Sequence, residues 1–528
     1  MKFKSKVSVW MGSQSQKLNV IFLPYLLPGH SNPMVDTARL FAKHGVNVTI
    51  ITTQANAFKF QKHIDSDYNS GYPIRIHVLQ LPSAQVCFHD EVENIKSGVS
   101  SEMLRKIGGE MLIPQDQVEE LLPQLHPDCL VTDQFYPWTV ESAAKLGIPR
   151  LYFYSTSYFS TCAFRCIQKH KPHESLDSDS HKFSIPGLPH NIEMNTAQIE
   201  ERLKTKNMMT DYLNAVCDAI IESEIRSYGT LCNSFHELES DYEQLYRSLI
   251  GVKSWSIGPV STSVNRDDKE KTKRDQKDDD IAEEPELLYW LDSKQNESVL
   301  YVSFGSLTRL PHSQLLEIAL GLENSGYNFI WVVRNTKEDN DGDSLPQGFL
   351  QRMKESKKGY IIWNWAPQVL ILNHPAVGGV VTHCGWNTIL ESSSAGLPMI
   401  TWPMFAEQFY NEKLLVDVLK VGVSIGVKGN KFWSKSSDNE VVRKEDIANT
   451  VKLLMGSGEE SKEMRMRARK LGDAAKRTIE EGGSSYNNLK QLIDELKSLK
   501  ISKSLSKTKE LRTIHVSSLG DVGNEGFQ

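Results

Sequence analysis

Short β-rich runs alternate with helical patterns twice along this chain, once on each side of a long polar segment, and this alternation limits the folds it can adopt. In the first half, the apolar run Asn19–Tyr25 leads through a turn to a helical pattern over Met34–His44, and the β-branched run Val46–Ile51 follows. Val299–Phe304 begins the same arrangement in the second half. Such alternation is typical of parallel sheets with helices on both faces. The sequence therefore predicts an α/β fold with two doubly wound parallel-sheet domains.

The remaining periodic segments extend both halves in the same way. Further strands are predicted at Ile74–Leu81, Cys129–Thr132, Arg150–Tyr154, Asn328–Val333, Tyr360–Trp363, Val377–Thr382 and Pro398–Trp402, with helices at Ser313–Asn324 and Glu407–Leu419. Ligands of doubly wound sheets bind beyond the carboxyl ends of the strands. We therefore expect the functional residues on the loops that face the cleft between the two domains.

Composition excludes several classes of protein. Of the 528 residues, 39% are hydrophobic and 24% are charged, and the net charge of −6 comes without a basic run to bind nucleic acid. No apolar run reaches the roughly 18 residues of a membrane span. The seven cysteines are an odd number without a C-x-x-C pair, which suits reduced thiols. We predict a cytoplasmic protein with no nucleic-acid partner, integral membrane segment or metal site.

The densest functional signal is the 44-residue segment Trp365–Gln408, which reads WAPQVLILNHPAVGGVVTHCGWNTILESSSAGLPMITWPMFAEQ. Its tryptophan offers a flat face on which a nucleotide base stacks. Residues 382–388 follow a predicted strand and open a helix, whose free N–H groups and positive dipole end attract a diphosphate. The other groups that favour a nucleotide are Gly385 for close backbone approach, Asn387 and Thr388 as donors, and Glu391 as an acceptor for ribose. The segment predicts a nucleotide-diphosphate site.

The same segment closely resembles the signature box of plant family-1 UDP-dependent glycosyltransferases, which have the GT-B fold of two Rossmann-like domains facing across a cleft. Pro186–Pro189 and Lys253–Pro259 are similar to the branch of that family that acts on triterpenoid saponins and flavonoids. The resemblance covers roughly residues 18–500. It implies that a UDP-sugar is the co-substrate and that no cofactor is needed.

The resemblance also implies roles for individual residues. Trp365 stacks on uracil and the Ala366 backbone bonds it. The remaining UDP-sugar contacts are Gln368 and Glu391 at the ribose, Ser306, His383, Asn387 and Thr388 at the diphosphate, Gly385 beside it, and Trp386, Glu407 and Gln408 at the sugar. Relatives usually have Ser at the position of Thr388, so the hydroxyl is retained.

Two residues outside the segment carry the predicted chemistry. His30 lies in the loop after the first strand, and Asp133 follows a later strand, so both reach the same edge of the sheet. A histidine pKa near 6.5 suits a general base, and a carboxylate orients the imidazole and stabilises its charged form. The family has the same pair at the matching positions. We expect His30 to deprotonate an acceptor hydroxyl that attacks the anomeric carbon opposite UDP, which gives a β-glycoside.

Donor and acceptor are predicted less specifically. Gln408 favours UDP-glucose, because relatives often have Gln here for glucose donors and His for galactose donors, while UDP-glucuronate, UDP-galactose and a pentose donor stay open. The loops Gln85–Glu93 and Pro186–Ile199 are rich in apolar and uncharged polar residues, which indicates a bulky acceptor. A triterpenoid sapogenin or saponin is favoured, with a flavonoid as the second candidate. Loose association with endoplasmic reticulum enzymes is a further expectation.

The expected domain organisation follows from these assignments. A flexible segment over 1–17 precedes an acceptor-binding domain over 18–260, and a charged linker over 261–286 leads to a UDP-sugar-binding domain over 287–483. A helix over 484–500 packs back on the first domain, and 501–528 form a disordered tail.

Three different functions could share this α/β architecture. A dinucleotide-dependent oxidoreductase is disfavoured, because neither Asn19–Pro33 nor Val299–Pro311 contains G-x-G-x-x-G. An inactive UDP-sugar sensor would keep the 44-residue segment but lose the base, which His30 and Asp133 argue against. A sugar-nucleotide epimerase could also use the fold, although its donor-side acids are not identifiable in the sequence.

Overall fold

The computed structural model describes residues 17–80, 113–176, 181–264, 284–334, 345–429 and 441–520. Residues 1–16, the loop Gln85–Glu93 and most of the expected linker lie outside the described residues. The ends of that linker are helical where they are described, because one helix closes at Val264 and another opens at Glu284.

The first half of the chain folds around a seven-stranded parallel sheet. Its strands, with a small antiparallel hairpin formed by β6 and β7, are β1 (Asn19–Leu23), β2 (Asn47–Thr53), β3 (Ile74–Leu79), β4 (Cys129–Asp133), β5 (Arg150–Tyr154), β6 (Lys182–Ser184), β7 (Glu193–Asn195), β8 (Gly229–Cys232) and β9 (Lys253–Ser256). The order in the large sheet is β3-β2-β1-β4-β5-β8-β9. Strands β1, β4 and β5 are central and almost wholly buried, as their continuous apolar runs predict.

The second half contains a six-stranded parallel sheet. Its strands are β10 (Val299–Ser303), β11 (Asn328–Val333), β12 (Gly359–Trp363), β13 (Val377–Thr382), β14 (Met399–Thr401) and β15 (Gly422–Ser424). They lie in the order β12-β11-β10-β13-β14-β15. The prediction of two doubly wound parallel-sheet domains is therefore confirmed.

Helices cover both sheets. They are α1 (Pro28–Lys43), α2 (Gln54–Asn69), α3 (Gln115–Leu125), α4 (Thr139–Leu146), α5 (Tyr158–His170), α6 (Met208–Ile225), α7 (His236–Ile250), α8 (Val260–Val264), α9 (Glu284–Asp292), α10 (His312–Ser325), α11 (Phe349–Ser356), α12 (Gln368–Leu372), α13 (Trp386–Ser394), α14 (Gln408–Lys413), α15 (Lys444–Met455), α16 (Glu459–Thr478) and α17 (Ser484–Gly520). A π-helical turn over Leu414–Val418 follows α14, where the sequence predicts one continuous helix.

The first helix begins earlier than the sequence predicts. We expected a loop over residues 28–33 and a helix from Met34, but α1 starts at Pro28, so His30 lies in the first helical turn. Proline suits this position because its fixed φ matches the helix and its missing N–H is not needed there. The base predicted in the loop after the first strand therefore lies in a helix.

The last helix is longer than predicted. The sequence ends it at residue 500 and predicts a disordered tail over 501–528, but α17 continues to Gly520, and residues 521–528 lie outside the described residues. Leu489, Leu492 and Ile493 are buried in the core of the first domain. Beyond them, Lys500 Nζ donates to Asp128 Oδ2 at 2.8 Å and Lys503 Nζ donates to the Leu146 carbonyl at 2.9 Å. These polar contacts attach residues 500–503, which have no apolar periodicity, to the first domain.

Candidate functional site

A cleft of about 350 Å³ opens between the carboxyl edges of the two sheets. Residues from both halves of the chain line it, and twelve of them are the residues predicted to contact the UDP-sugar: Ser306, Trp365, Ala366, Gln368, His383, Gly385, Trp386, Asn387, Thr388, Glu391, Glu407 and Gln408. His30 lines the opposite wall. Asp133 is fully buried directly behind it. The structure thus brings all fourteen predicted residues to one place.

His30 and Asp133 form a hydrogen-bonded pair. His30 Nδ1 lies 2.9 Å from Asp133 Oδ2, and the imidazole is 19% exposed whereas the carboxylate is 0% exposed. The other carboxylate oxygen accepts from the Phe135 backbone N–H at 3.0 Å. Because a carboxylate only accepts, Nδ1 carries the proton and Nε2 is the basic nitrogen. In the described part of the chain Nε2 has no hydrogen-bond partner, so it is available to an acceptor hydroxyl.

The surroundings of His30 shift its basicity in opposite directions. Burial lowers the pKa of the imidazole, but the charge of Asp133, its hydrogen bond and the charge of Glu407 raise it, and the net pKa is raised above 6.5. Tyr25 and Phe135 pack against the ring with centroid distances of 5.4 and 5.2 Å. The pair is therefore a carboxylate-supported base in a partly apolar pocket.

Ser155 is a neighbour of this pair that sequence reasoning missed. Its hydroxyl lies 3.1 Å from His30 Nδ1, and it also lines the cleft. It stands immediately after β5, whose parallel neighbour β4 ends at Asp133. Its position at the end of a predicted strand was the available signal, because adjacent parallel strands end at the same edge.

The second wall is organised around the start of α13. Gly385 is the N-cap of this helix, and no side chain caps its first N–H groups. Uncapped N–H groups at a helix start form an anion site with the positive end of the dipole. Asn387 and Thr388 lie in the first turn and face the cleft. The arrangement has the chemistry to hold a diphosphate.

His383 is clamped between two backbone segments. A Cβ atom on Gly305 would lie 2.5 Å from the imidazole, and one on Gly385 would lie 2.4 Å from it. Burial lowers the pKa of His383 to about 4, so the ring is neutral near pH 7. Its Nδ1 is buried and has no partner in the described part of the chain. His383 is therefore a neutral hydrogen-bonding group, not a cation. Gly305 was missed by sequence reasoning.

Polar side chains on the same wall form a chain of hydrogen bonds. Tyr301 Oη donates to Gln368 Oε1 at 3.2 Å, and Gln368 Nε2 donates to Glu391 Oε2 at 2.8 Å. Beside them, the Trp365 ring is 37% exposed and presents surface for stacking. The group offers a flat aromatic face next to a fixed carboxylate, which is suited to a base and a ribose.

The side chains predicted at the sugar differ in availability. Trp386 is 2% exposed, and its indole N–H donates 2.8 Å across the cleft to the Asn233 carbonyl, so this donor is occupied by the protein. Gln408 Oε1 accepts from the backbone N–H groups of Met404 and Phe405 at 2.8 and 3.1 Å. These bonds fix the amide so that its NH₂ group is the free end.

A hydrogen bond across the cleft depends on a proline. Asn387 Nδ2 donates to the Gly29 carbonyl at 2.9 Å, one residue before His30. In a helix that carbonyl would accept from the N–H of Pro33, which proline lacks. Because Pro33 has no N–H, the Gly29 carbonyl is left to accept the hydrogen bond from Asn387 in the second domain.

Three non-glycine residues near the site have left-handed backbones. Asn364, Cys384 and Ala406 have φ angles of 69°, 65° and 53°. The first precedes Trp365, the second Gly385 and the third Glu407. Left-handed conformations cost free energy in residues with a Cβ and cluster at functional sites.

The described part of the chain contains neither a cluster of potential metal ligands nor a membrane-spanning helix. Within those ranges, no three His, Cys, Asp or Glu side chains are grouped so that they could hold a metal ion. No helix among the described residues is both long enough and apolar enough to span a bilayer.

Known proteins match the chain over most of its length. The family model described as "UDP-glucoronosyl and UDP-glucosyl transferase" matches residues 112–428. The chain belongs to the UDP-glycosyltransferase family. Its fold is accordingly GT-B, and this glycosyltransferase uses a UDP-sugar as its co-substrate.

Plant enzymes are among its relatives. A soyasapogenol B glucuronide galactosyltransferase of Glycine max is 49% identical and covers 94% of this chain and 99% of its own. A UDP-glucose flavonoid 3-O-glucosyltransferase of Fragaria ananassa is 44% identical, with coverages of 92% and 97%. A Glycyrrhiza uralensis enzyme, solved in complex with glycyrrhetinic acid 3-O-monoglucuronide, has a TM-score of 0.85 and 45% identity over 94% of this chain and 99% of its own.

Proposed function

We propose that this glycosyltransferase transfers glucose from UDP-glucose, with inversion, to a hydroxyl of a triterpenoid sapogenin or saponin. The observation that carries the proposal is the His30–Asp133 pair, with Nδ1 bonded to the carboxylate at 2.9 Å and Nε2 left for the acceptor. It faces a helix start suited to the diphosphate across one cleft. A base and a leaving-group site on opposite walls support a single in-line displacement.

The proposed reaction is one displacement at the anomeric carbon of the donor. His30 Nε2 takes the proton of the acceptor hydroxyl while the hydroxyl oxygen forms a bond to that carbon. The bond from the carbon to the diphosphate breaks, and UDP leaves with the electron pair. Attack from the face opposite UDP converts an α-linked donor into a β-glycoside. Asp133 stabilises the imidazolium that forms, as a carboxylate does in hydrolase triads.

Charge on the leaving diphosphate is met by fixed donors. The uncapped start of α13 presents N–H groups and a positive dipole end, and the neutral His383 adds a ring N–H. Arg334 also lines the cleft, and its Nε donates to the carbonyl of Gly305 at 3.3 Å. These groups support a reaction without a cofactor or metal, and we expect EDTA to leave the rate unchanged.

The sugar is proposed from the environment of Gln408. Because its carbonyl oxygen is occupied by two backbone N–H groups, the free NH₂ donates to vicinal sugar hydroxyls. A neutral amide supplies no cation for a glucuronate carboxylate, which favours glucose. The galactosyl specificity in the name of the soybean relative supports UDP-galactose as the second candidate, with UDP-glucuronate and pentose donors also open.

The acceptor class is supported by the relatives. The soybean enzyme is named for a triterpenoid glucuronide, and the Glycyrrhiza enzyme was solved with another. Both names favour an acceptor that already carries a sugar, in which case the attacking hydroxyl belongs to that sugar. The strawberry relative supports a flavonoid as the second candidate. Reaction in the cytoplasm and loose association with endoplasmic reticulum enzymes remain predictions from the sequence.

The test is a mass-spectrometric screen of a triterpenoid aglycone, its monoglucuronide and a flavonoid, each with UDP-glucose, using wild type and His30→Ala. We expect wild type to add one hexose to a triterpenoid acceptor and the variant to be slower by about 10²- to 10⁴-fold. Conversion of UDP-glucose into an epimeric UDP-sugar without acceptor would indicate an epimerase, and UDP binding without any turnover would indicate a sensor. A hexose added equally by both proteins would contradict the assignment of the base.

A further inference from the structure

The loop over residues 382–387 is held from the neighbouring helix α14 as well as across the cleft. Two of its residues, Asn387 and Trp386, donate to backbone carbonyls of the first domain. A third connection runs through Asn411, which lies in α14 and is 0% exposed. Asn411 was not singled out by the sequence, and neither the base nor the predicted donor contacts include it.

Asn411 uses both ends of its carboxamide. Its Nδ2 donates to the carbonyl of Cys384 at 3.0 Å, and its Oδ1 accepts from the hydroxyl of Ser157 at 2.8 Å. All three residues are fully buried. Only a side chain with a donor and an acceptor in a fixed fork makes both bonds at once. Asn411 thus joins the second domain's loop to the first domain.

Cys384, whose carbonyl Asn411 holds, has a backbone conformation that is unfavourable for a residue with a Cβ atom. Cys384 has a φ of 65°, the left-handed region in which glycine is the usual residue. It directly precedes Gly385, the N-cap of α13, so its conformation sets the direction in which the helix start points. A bond to its own carbonyl is well placed to stabilise that conformation.

The other end of the connection reaches the base. Ser157 stands two residues after Ser155, whose hydroxyl lies 3.1 Å from His30 Nδ1. One short loop after β5 therefore contacts the catalytic base at one position and Asn411 at another.

We propose that Asn411 is a positioning residue that holds Cys384 in its left-handed conformation and keeps the start of α13 in register with His30. This inference rests on the proposed use of the loop over 382–387 as the diphosphate site. It assigns to Asn411 an effect on UDP affinity through Cys384 and an effect on turnover through Ser157.

The first experiment removes both bonds and then relieves the strain. We measure UDP binding by calorimetry, and kcat and KM for the UDP-sugar, in wild type, Asn411→Leu, Cys384→Gly and the double variant. Asn411→Leu should bind UDP about tenfold more weakly, since a left-handed non-glycine residue is costly to hold. Glycine adopts φ near 65° without that cost, so the double variant should regain most of the affinity. Thermal unfolding of each variant reports whether it is folded.

The second experiment breaks the contact between the domains, together with one capping bond of α5, and leaves the bond from Asn411 to Cys384 in place. Ser157 is the N-cap of α5 and accepts from the Ser160 N–H at 2.9 Å, so alanine would also weaken the helix. Ser157→Gly removes the hydroxyl but keeps a residue that N-caps accept with little loss. We expect unchanged UDP affinity and a kcat several-fold lower, because the loop stays formed while its register with the base is loosened.

The outcomes separate this inference from the function on which it rests. A wild-type enzyme that binds no UDP overturns both. Equal UDP affinity and kcat in wild type and Asn411→Leu overturn this inference alone, and so does a folded double variant that recovers no affinity. If Asn411→Leu does not fold, Ser157→Gly decides, and a kcat equal to that of wild type then overturns the proposal.

Discussion

The two walls of the cleft are built in different ways. On the second-domain wall, most of the candidate residues come from one 44-residue segment, so neighbours in sequence are neighbours in space. On the first-domain wall, His30 is 103 positions from Asp133 and 125 from Ser155, and parallel strands bring them together. Functional residues that share one contiguous segment can be predicted from the sequence. Functional residues that a sheet brings together can be recognised as neighbours only when the fold is known.

The two histidines of the cleft show the same contrast in their electrostatics. His30 has a carboxylate at its back, and its pKa is raised despite burial. His383 lies between the backbones of Gly305 and Gly385, and burial lowers its pKa to about 4. Near pH 7 the first imidazole is suited to accept a proton, and the second is a neutral hydrogen-bond donor. Variants on each wall test this division, from the largest expected effect to the smallest.

Replacing the carboxylate behind the base should have the largest effect. In Asp133→Asn the amide no longer stabilises the imidazolium, and we expect kcat to fall by about 10²- to 10⁴-fold. The direction in which the pH dependence of kcat/KM should move follows from what shifts the pKa of His30. Burial lowers the pKa of His30 and Asp133 raises it, so removing the carboxylate lowers it. His30 must be neutral to act, so the acidic limb of the kcat/KM profile should move to lower pH.

The measurement is a pH–rate profile of wild type beside Asp133→Asn. A limb that stays in place would contradict the assignment of His30 as the titrating base. UDP affinity measured at neutral pH is the control, because Asp133 lies behind the first-domain wall and should not alter it.

On the opposite wall, a single methyl group should disturb the proposed diphosphate site. In Gly385→Ala the new Cβ would lie 2.4 Å from His383 Nε2, and Gly305 blocks the ring from moving to the other side. Gly385 has a φ of −66°, so the effect is steric and not conformational. Overpacking of this kind costs about 1–3 kcal/mol, and we expect UDP binding roughly 5- to 150-fold weaker.

Calorimetric titration with UDP measures this effect. Gly458→Ala is the matched control, because a Cβ there meets nothing within 4 Å and the position is remote from the cleft. Equal UDP affinity in Gly385→Ala and wild type would show that the ring of His383 is free to move, against the clamped arrangement.

The contrast between the two walls also explains which strands and site residues could be predicted from the sequence. The central strands are predicted because they are continuous apolar runs, and the donor wall is predicted because its residues share one segment. Strands β8, β9 and β15 were missed, since GTLC, KSWS and GVS have no β-branched run. Pairing with buried neighbours forms them: a Cβ on Gly229 in β8 would lie 2.5 Å from the Trp255 ring in β9.

The missed site residues have a common cause. Tyr301, Asn233 and Asn411 act through hydrogen bonds whose partners include residues 67, 153 and 27 positions away. Nothing local marks such a residue, because its chemistry exists only once the partner is in place. The contacts of α17 just beyond residue 499 were missed for the same reason, since Lys500 and Lys503 bond to carbonyls that are distant in the sequence.

The hydrogen bond between Asn387 and the Gly29 carbonyl gives a smaller test, in which stability should rise while kcat falls. Pro33→Ala supplies the N–H that the helix lacks, and Gly29 can then accept it in place of Asn387. We expect a more stable protein and a kcat lower by a few-fold, since one neutral hydrogen bond contributes about 1 kcal/mol. Pro123→Ala, also inside a helix but away from the cleft, is the control and should leave kcat alone. Thermal unfolding and initial rates measure both effects, and loss of stability in Pro33→Ala would contradict this account.

The smallest expected effect concerns the choice of sugar. Gln408 is 4% exposed, and its oxygen is fixed by two backbone N–H groups, so its NH₂ group is held at a set angle for the proposed contact with the sugar. Histidine has no carbonyl oxygen for those N–H groups, and its ring donor lies elsewhere. Gln408→His should therefore lower kcat/KM for UDP-glucose by about two- to threefold and change the glucose-to-galactose ratio in favour of galactose, at the lower end of the contribution of one hydrogen bond. Competition between the two donors at equal concentration measures the ratio directly. An unchanged ratio with a reduced rate would mean that Gln408 shapes the loop over Met404 and Phe405 and does not select the sugar.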